Sequence, residues 1–285
     1  MRDTPLTLMC VHAHPDDECI STGGILAKYA GEGIHTVLVT CTKGELGEVS
    51  DPDFKPPRPD MSLTEIRMAE LADAIEFLKV GSFHCLDYKD SGMAGTDGNN
   101  DPEAFVQADL HEAANRLVRL IRETRPQVVV TYDEYGVYGH PDHIMANRIT
   151  QKAFDAAGDP AVTFDDGTPP WQPDKLYYFA LPSERLEKYS RLGSKDGEET
   201  FRPPTTLKAT PADQITTRID IAPYLDDKFK AIYAHKSQIG SGHLFRRLTK
   251  EQKQAMFGRE HYVCVRGNAV FSQHSMEDDL FAGLR

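Results

Sequence analysis

No stretch of the chain approaches 18 consecutive apolar residues, so nothing in it reads as a membrane-spanning helix. The opening residues, Met1 to Leu6, lack the charged and long apolar regions of a signal peptide. Positive charge is also scarce. Lys and Arg number 32 against 44 Asp and Glu, a formal net charge of −12, and no clustered basic footprint of the kind a phosphate backbone needs is found. These absences exclude nucleic-acid and membrane partners and make a cytoplasmic protein the expectation. The five cysteines, Cys10, Cys19, Cys41, Cys85 and Cys264, are odd in number and form no C-x-x-C, so they are expected as free, mostly buried thiols. Cys19 alone invites a second reading, as a thiolate metal ligand beside an acidic motif. No G-x-G-x-x-G follows the first apolar run, which argues against a non-catalytic nucleotide- or sugar-binding module.

What is there is enough for one large α/β unit: 285 residues, 40% hydrophobic and 27% charged. Strand and helix patterns alternate, as in a βαβ wind. Strands are expected at 6–12, 35–42, 82–86, 128–132, 175–180 and 261–266. Helices are expected at 23–33, from the Ser62-x-x-Glu65 capping box onward, at 104–124, 141–157, 222–238 and 249–257, with a short one from Ser183. Residues 1–170 are read as a Rossmann-like domain with a mostly parallel sheet flanked by helices. Residues 171–285 are read as a smaller C-terminal α+β region that completes a substrate pocket. The Gly- and Pro-rich stretches 158–175 and 193–213 read as long loops.

One tetrapeptide pattern occurs twice: His14-Pro15-Asp16-Asp17 after the first strand and His140-Pro141-Asp142-His143 after the fourth. Proline suits the first helical position, where its missing N–H has no partner to lose. Each histidine then sits at the cap and the fourth residue one turn on, on the same side. His14/Asp17 and His140/His143 thus each present two candidate metal ligands at the carboxyl end of a strand, where open α/β sheets place ligands. A His, Asp, His set suits zinc and leaves positions open for water and substrate, with iron(II) the competing metal. Asp16, beside Asp17, is a candidate base. His140 is then free to donate to a developing oxyanion, with Asp142 fixing its tautomer. His12, two residues from His14 on a strand, is expected as a hydrogen-bonded core residue.

Together with these motifs, Thr42-Lys-Gly-Glu45-Leu-Gly-Glu48, Asp90 to Asp97, Thr131-Tyr-Asp133, Ala234-His-Lys-Ser-Gln238, Glu260-His-Tyr-Val263 and Asp279 to Leu284 resemble the PIG-L/LmbE-like superfamily of zinc-dependent N-deacetylases. Within it the chain is most similar to the mycothiol-pathway branch of GlcNAc-inositol deacetylases and thiol S-conjugate amidases. The resemblance implies a Rossmann-like fold and zinc at His14, Asp17 and His143. It implies Asp16 as base, His140 as acid or oxyanion donor, and Tyr138 as a further carbonyl-polarising group. It also implies Arg67 and Asp90 on the sugar or aglycone hydroxyls, with Glu48 and His235 lining the pocket. The implied reaction is hydrolysis of the N-acetyl group of a small amino-sugar substrate, with amide cleavage of a thiol S-conjugate as the alternative. A homo-oligomer is compatible with all of this. From the residues alone, Arg67 reads equally well as a helix-surface partner of Glu65 or Glu70.

Overall fold

A computed structural model describes residues 5–192, 206–270 and 276–285. Most of the expected loop at 193–213, and His274, lie outside the described residues. Seven strands form one sheet: β1 (Thr7–His12), β2 (His35–Thr42), β3 (Ser82–Tyr88), β4 (Val128–Thr131), β5 (Lys175–Ala180), β6 (Thr217–Asp220) and β7 (Arg259–Arg266). Their order is β3-β2-β1-β4-β5-β7-β6. The first five are parallel, while β7 runs antiparallel to both β5 and β6. Every residue of β1, β4 and β5 is buried, as expected of central strands covered on both faces.

The helices are α1 (Gly23–Gly31), α2 (Leu63–Leu78), α3 (Leu110–Thr124), the single irregular turn α4 (Gly136–Gly139), α5 (Pro141–Ala157), α6 (Ser183–Leu192), α7 (Leu225–Ala234), α8 (Leu244–Arg247) and α9 (Lys250–Phe257). On one face of the sheet α1, α2 and α7 pack around Leu26, Leu71, Leu78, Phe229 and Ile232. On the other, α3 lies along α5 around Leu117, Ile121, Ile149 and Phe154. The result is the α/β Rossmann-like wind expected from the alternating pattern. Its sheet continues through β5, β7 and β6, so strands from both sides of residue 170 are hydrogen-bonded neighbours. Among the described residues no helix is long and apolar enough to cross a membrane.

Several boundaries differ from expectation, each for a local reason. The helix expected from 104 starts at Leu110, because the Asp109 side chain accepts from the N–H groups of His111 and Glu112; Phe105–Gln107 is a separate 3-10 turn. The helix expected at 222–238 is a 3-10 turn at Ala222–Tyr224 followed by α7, which stops at Ala234. β6 was not expected at all. It is an edge strand of four residues, alternately buried and exposed, too short for its period to stand out. On α2 the buried stripe is Ile66, Arg67, Glu70, Leu71, Ala74 and Leu78, so it includes two charged residues.

Candidate active site

The strand order reverses between β1 and β4, and the two His-Pro-Asp segments leave the carboxyl ends of those two neighbouring strands. That is the switch point of the sheet, where a crevice opens between loops turning opposite ways. The second segment forms the expected capped helix start. His140 is the N-cap of α5 and its Nδ1 accepts the Asp142 N–H at 3.1 Å. The first segment does not continue straight into an α-helix. After Asp17 comes a π turn, Glu18–Thr22, and α1 begins only at Gly23. A π turn widens the backbone and is frequent at functional sites.

Asp17 Oδ2 lies 3.3 Å from His14 Nδ1 and 3.4 Å from His143 Nε2, between the two imidazoles. The His14 N–H also donates to that oxygen at 3.0 Å. His143 is 2% exposed, and both its ring nitrogens are buried without a hydrogen-bond partner. A buried imidazole with two orphaned nitrogens is costly unless something else binds one of them. A divalent metal would do so, and these residue types suit one. The pair expected within the second motif is arranged differently: His140 stands 5.2 Å from His143 between ring centroids and 4.6 Å from His14. One nitrogen from each of His14, His140 and His143 falls within a common 4.8 Å, and so do donor atoms of His14, Asp90, His140 and Asp142.

Asp142 does not hold His140 through its side chain, contrary to expectation. Its Oδ2 accepts from His14 Nε2 at 3.1 Å and from the Ser91 N–H at 3.0 Å. The reason is the cap geometry: with His140 Nδ1 taken by the Asp142 backbone, the Asp142 carboxylate is directed to the other motif. Asp142 therefore fixes His14, turning its Nδ1 toward Asp17, as a carboxylate behind a ligating histidine does. Burial by itself would lower the His14 pKa, but Asp142, Asp17 and Asp90 outweigh it and hold it well above the usual imidazole range. In His140, burial and the neighbouring His14 and His143 act in the same direction, and its pKa falls to about 3. At neutral pH His140 is uncharged, with Nδ1 accepting and its proton therefore on Nε2.

Asp16 has a φ of +112°, rare for a residue with a side chain. Such a conformation costs ~1–3 kcal/mol and persists only where surroundings impose it. Its carboxylate pairs with Arg67 Nη2 at 3.3 Å. Burial, with Asp17 and Glu18 close by, pushes its pKa up to about 6 against the opposing pull of Arg67. Arg67 is 3% exposed and reaches neither Glu65 nor Glu70. It donates instead to the carbonyls of Gly44 at 2.8 Å and Pro15 at 2.5 Å. Gly44 must be glycine here: its φ is +69°, and a Cβ would lie 2.1 Å from Arg67 Nη1.

A cavity of about 620 Å³ opens over these groups, lined by His14, Asp16, Asp17, Tyr138 and His140 at one side and by Glu48, Arg67, Asp90 and Gln238 at the other. Asp90 is 4% exposed and its carboxylate is held by the N–H groups of Leu46 and Gly92 at 3.3 and 2.8 Å. Tyr138 also faces a second, apolar cavity of about 260 Å³ with Val137, Phe179, Leu181 and Ile239, which shares Asp16 and Asp17 with the first. The backbone before Tyr138 is strained, with Val137 at φ +66° held by its N–H on Asp133 Oδ1 at 2.8 Å.

His235 does not line either cavity, so its expected place on the pocket wall is corrected. It is fully buried, with Nε2 donating to Glu18 Oε1 at 2.8 Å, because α7 ends at Ala234 and the chain turns inward there. Gln238, on the same segment, reaches the cavity instead. Cys19 is no ligand either: its thiol donates to the Asp16 carbonyl at 2.9 Å, and burial together with Glu18 and Asp16 keeps it protonated. His12 is the expected core residue, 2.8 Å from Thr22 Oγ1. Tyr132, which the sequence offers only as the middle residue of Thr131-Tyr-Asp133, has a role at the site that sequence reading missed. Its hydroxyl accepts the Ala13 N–H at 2.8 Å and its ring stacks on His143 at 4.1 Å, tying the two motifs together.

Residues 9–154, which include both motifs, match the model of the family described as PIG-L, GlcNAc-PI de-N-acetylase. The chain is 44% identical over 289 residues to a protein of Nocardiopsis dassonvillei named 1D-myo-inositol 2-acetamido-2-deoxy-alpha-D-glucopyranoside deacetylase, covering 97% of this chain and 100% of the relative. It is 42% identical over 288 residues to "deacetylase 1" of the same name from Catenulispora acidiphila, covering 97% and 89%. Among solved structures, N,N'-diacetylchitobiose deacetylase from Pyrococcus horikoshii is similar with a TM-score of 0.62 at 18% identity, covering 92% of this chain and 84% of that one. GalB, a 4-carboxy-2-hydroxymuconate hydratase from Pseudomonas putida, is similar at 0.59 and 20%, covering 94% and 99%. Those two likenesses show the fold alone, and the fold by itself does not choose between hydrolysis and hydration. The sequence relatives and the family model do: the chain belongs to the PIG-L family of GlcNAc-PI de-N-acetylases, which are hydrolytic N-deacetylases.

Proposed function

We propose that the chain hydrolyses the N-acetyl group of a GlcNAc-inositol-like amino sugar, releasing acetate and the free amine, with zinc held by His14, Asp17 and His143. The observation that carries this reading is the orphaned, buried His143, which lines the apolar cavity and faces Asp17, itself on the wall of the polar cavity with His14, in a chain with near-full-length relatives named for that substrate. Asp17 Oδ2 between the two histidines favours this set over the groups that include His140, whose Nδ1 is already occupied. Bound there, a divalent ion would polarise the amide carbonyl and make water a better nucleophile near neutral pH.

The chain's own groups supply the rest. Asp16 stands beside the donor set, ionised above a pKa of about 6, to take the proton of the attacking water. Once protonated it returns that proton to the leaving nitrogen, so water's two hydrogens end one on the amine and one released with the acetate. His140 is neutral, so it serves as the Nε2–H donor to the developing oxyanion rather than as the acid. Tyr138, on the strained turn at the cavity rim, is a second donor toward the same oxygen. Arg67, Asp90 and Glu48 face the volume left for the sugar and its aglycone, and an uncharged polyol suits a chain of net charge −12.

Release of the free sugar amine from GlcNAc-inositol, GlcNAc-malate, free GlcNAc and a mycothiol S-conjugate amide, compared by kcat/KM in one panel with metal content measured in parallel, tests the reading. GlcNAc-inositol turning over fastest supports it; equal rates on free GlcNAc overturn the aglycone assignment. The apolar cavity next to Tyr138 favours the S-conjugate amidase as the second reading, because it offers room for a larger acyl group.

A further inference from the structure

Behind Asp16, away from the cavity, Glu18, Cys19 and His235 form a group with no solvent exposure. Their donor atoms are close enough for a metal, but Glu18 and Cys19 direct hydrogen bonds to the backbone of Asp16, and His235 directs its own to Glu18. Glu18 Oε2 accepts the Asp16 N–H at 2.8 Å. The Cys19 thiol donates to the Asp16 carbonyl at 2.9 Å, and the Ile20 N–H lies 3.4 Å from the same oxygen. Glu18 Oε1 is in turn held by His235 Nε2 at 2.8 Å. Arg67 takes the Pro15 carbonyl, which belongs to the same peptide as the Asp16 N–H, and the Asp16 carboxylate. Asp16 is the residue at φ +112°, so the contacts surround a strained stretch of backbone that would relax if released.

We infer that Glu18 and His235 are positioning residues for the base: Glu18 holds the Asp16 N–H so that the strained backbone presents its carboxylate to the cavity, and His235 holds Glu18. The inference rests on the reading of Asp16 as the base. Glu18 is unsuited to the chemistry itself, since it is fully buried and lines neither cavity at the site. A carboxylate is the group the position needs, because two oxygens are required to accept from Asp16 and His235 at once. Glutamine retains one acceptor and adds a donor; His235 meets that donor by moving its proton to Nδ1, which has no partner to lose.

The test is a double-mutant cycle on the metal-loaded enzyme with GlcNAc-inositol, in which kcat, KM, metal content and thermal midpoint are all read. Glu18→Ala is expected to lower kcat by ~10² or more, with KM within about threefold of wild type and one metal per chain retained. Glu18→Gln should recover to within ~10-fold of wild type. In an Asp16→Asn background Glu18→Ala should cost nothing further, because its only route to the reaction has gone. Should Glu18→Ala not fold, Glu18→Asp keeps the charge against His235 but is one methylene too short to reach both partners, and carries the same expectation. Losses that add fully in the double variant, a rise in KM with kcat unchanged, or loss of the metal in the Glu18 variants would each overturn the inference. If instead Asp16→Asn keeps wild-type kcat, it is the reading of Asp16 that fails, and the two failures are told apart.

Discussion

Asp16 and Asp17 are adjacent, identical in type and opposite in use, and environment alone separates them. Asp17 sits between His14 and His143, which outweigh its burial and hold its carboxyl well below the usual range; Asp16 is raised to about 6. Asp16→Asn is therefore expected to retain one metal per chain and lose ~10² to 10⁴ in kcat, the usual cost of removing a general base. The base works deprotonated, so kcat/KM should be level above about pH 6 and fall about tenfold per unit below it. An acid limb centred near the ordinary carboxylate range would reject Asp16 as its origin. His140, with a pKa of about 3, contributes no limb at neutral or alkaline pH, so His140→Gln should lower kcat while leaving the shape of the profile unchanged. At this scale the sequence made the donor types and spacings visible because Pro-led helix starts have few conformations. It did not reveal that Asp142 turns to His14, nor that His235 faces Glu18, since both depend on contacts across 128 and 217 positions.

At the scale of elements, the site depends on how α1 and α2 are fastened to the sheet. The N–H groups of Gly24 and Ile25 at the start of α1 are bound by both oxygens of Glu260 on β7, at 2.8 and 2.9 Å. A carboxylate there answers the orphan donors and the positive helix end. The same carboxylate meets Lys228 Nζ of α7 at 2.5 Å, with both side chains unexposed, and Lys228 also donates to the Ile20 carbonyl of the π turn. Breaking such a buried pair from one side costs ~3–5 kcal/mol. Glu260→Ala should thus lower the unfolding free energy by about that amount in a denaturant titration, and Glu260→Gln by less, as it retains an acceptor for α1. A Glu260→Ala change below ~1 kcal/mol would show that solvent replaces the carboxylate. On α2, Gly44→Ala should displace Arg67, raising KM for the sugar substrate at least as much as it lowers kcat. The helix spans were legible wherever a capping box or Pro-led start marked them, as at Ser62 and Pro141. Arg67 on the buried stripe was not, because helical spacing places Glu70 equally within its reach and only the fold brings Gly44 and Pro15 there.

On the whole molecule, the strand pattern showed an α/β wind but not where the chain divides, because a sheet extended by β5, β7 and β6 leaves no mark at residue 170. The core on the α1 side draws Leu8, Cys10, Leu26 and Val130 from the first 170 residues and Tyr177, Phe179, Ile219, Phe229, Ile232, Phe257, Tyr262 and Phe281 from the remainder. Residues 1–170 alone would leave β4 as an edge and uncover the buried faces of Leu26 and Leu78, a hydrophobic exposure that disfavours independent folding. They would also leave Glu18 buried without His235 and the cavity without Gln238. A fragment of 1–170 is accordingly expected to lack a cooperative thermal transition and to bind metal at well below one equivalent. Adding residues 171–285 in trans should restore both if the two parts complement. A 1–170 fragment that melts cooperatively and binds one metal would mean that the first five helices and four strands suffice, and that the C-terminal part serves only the substrate.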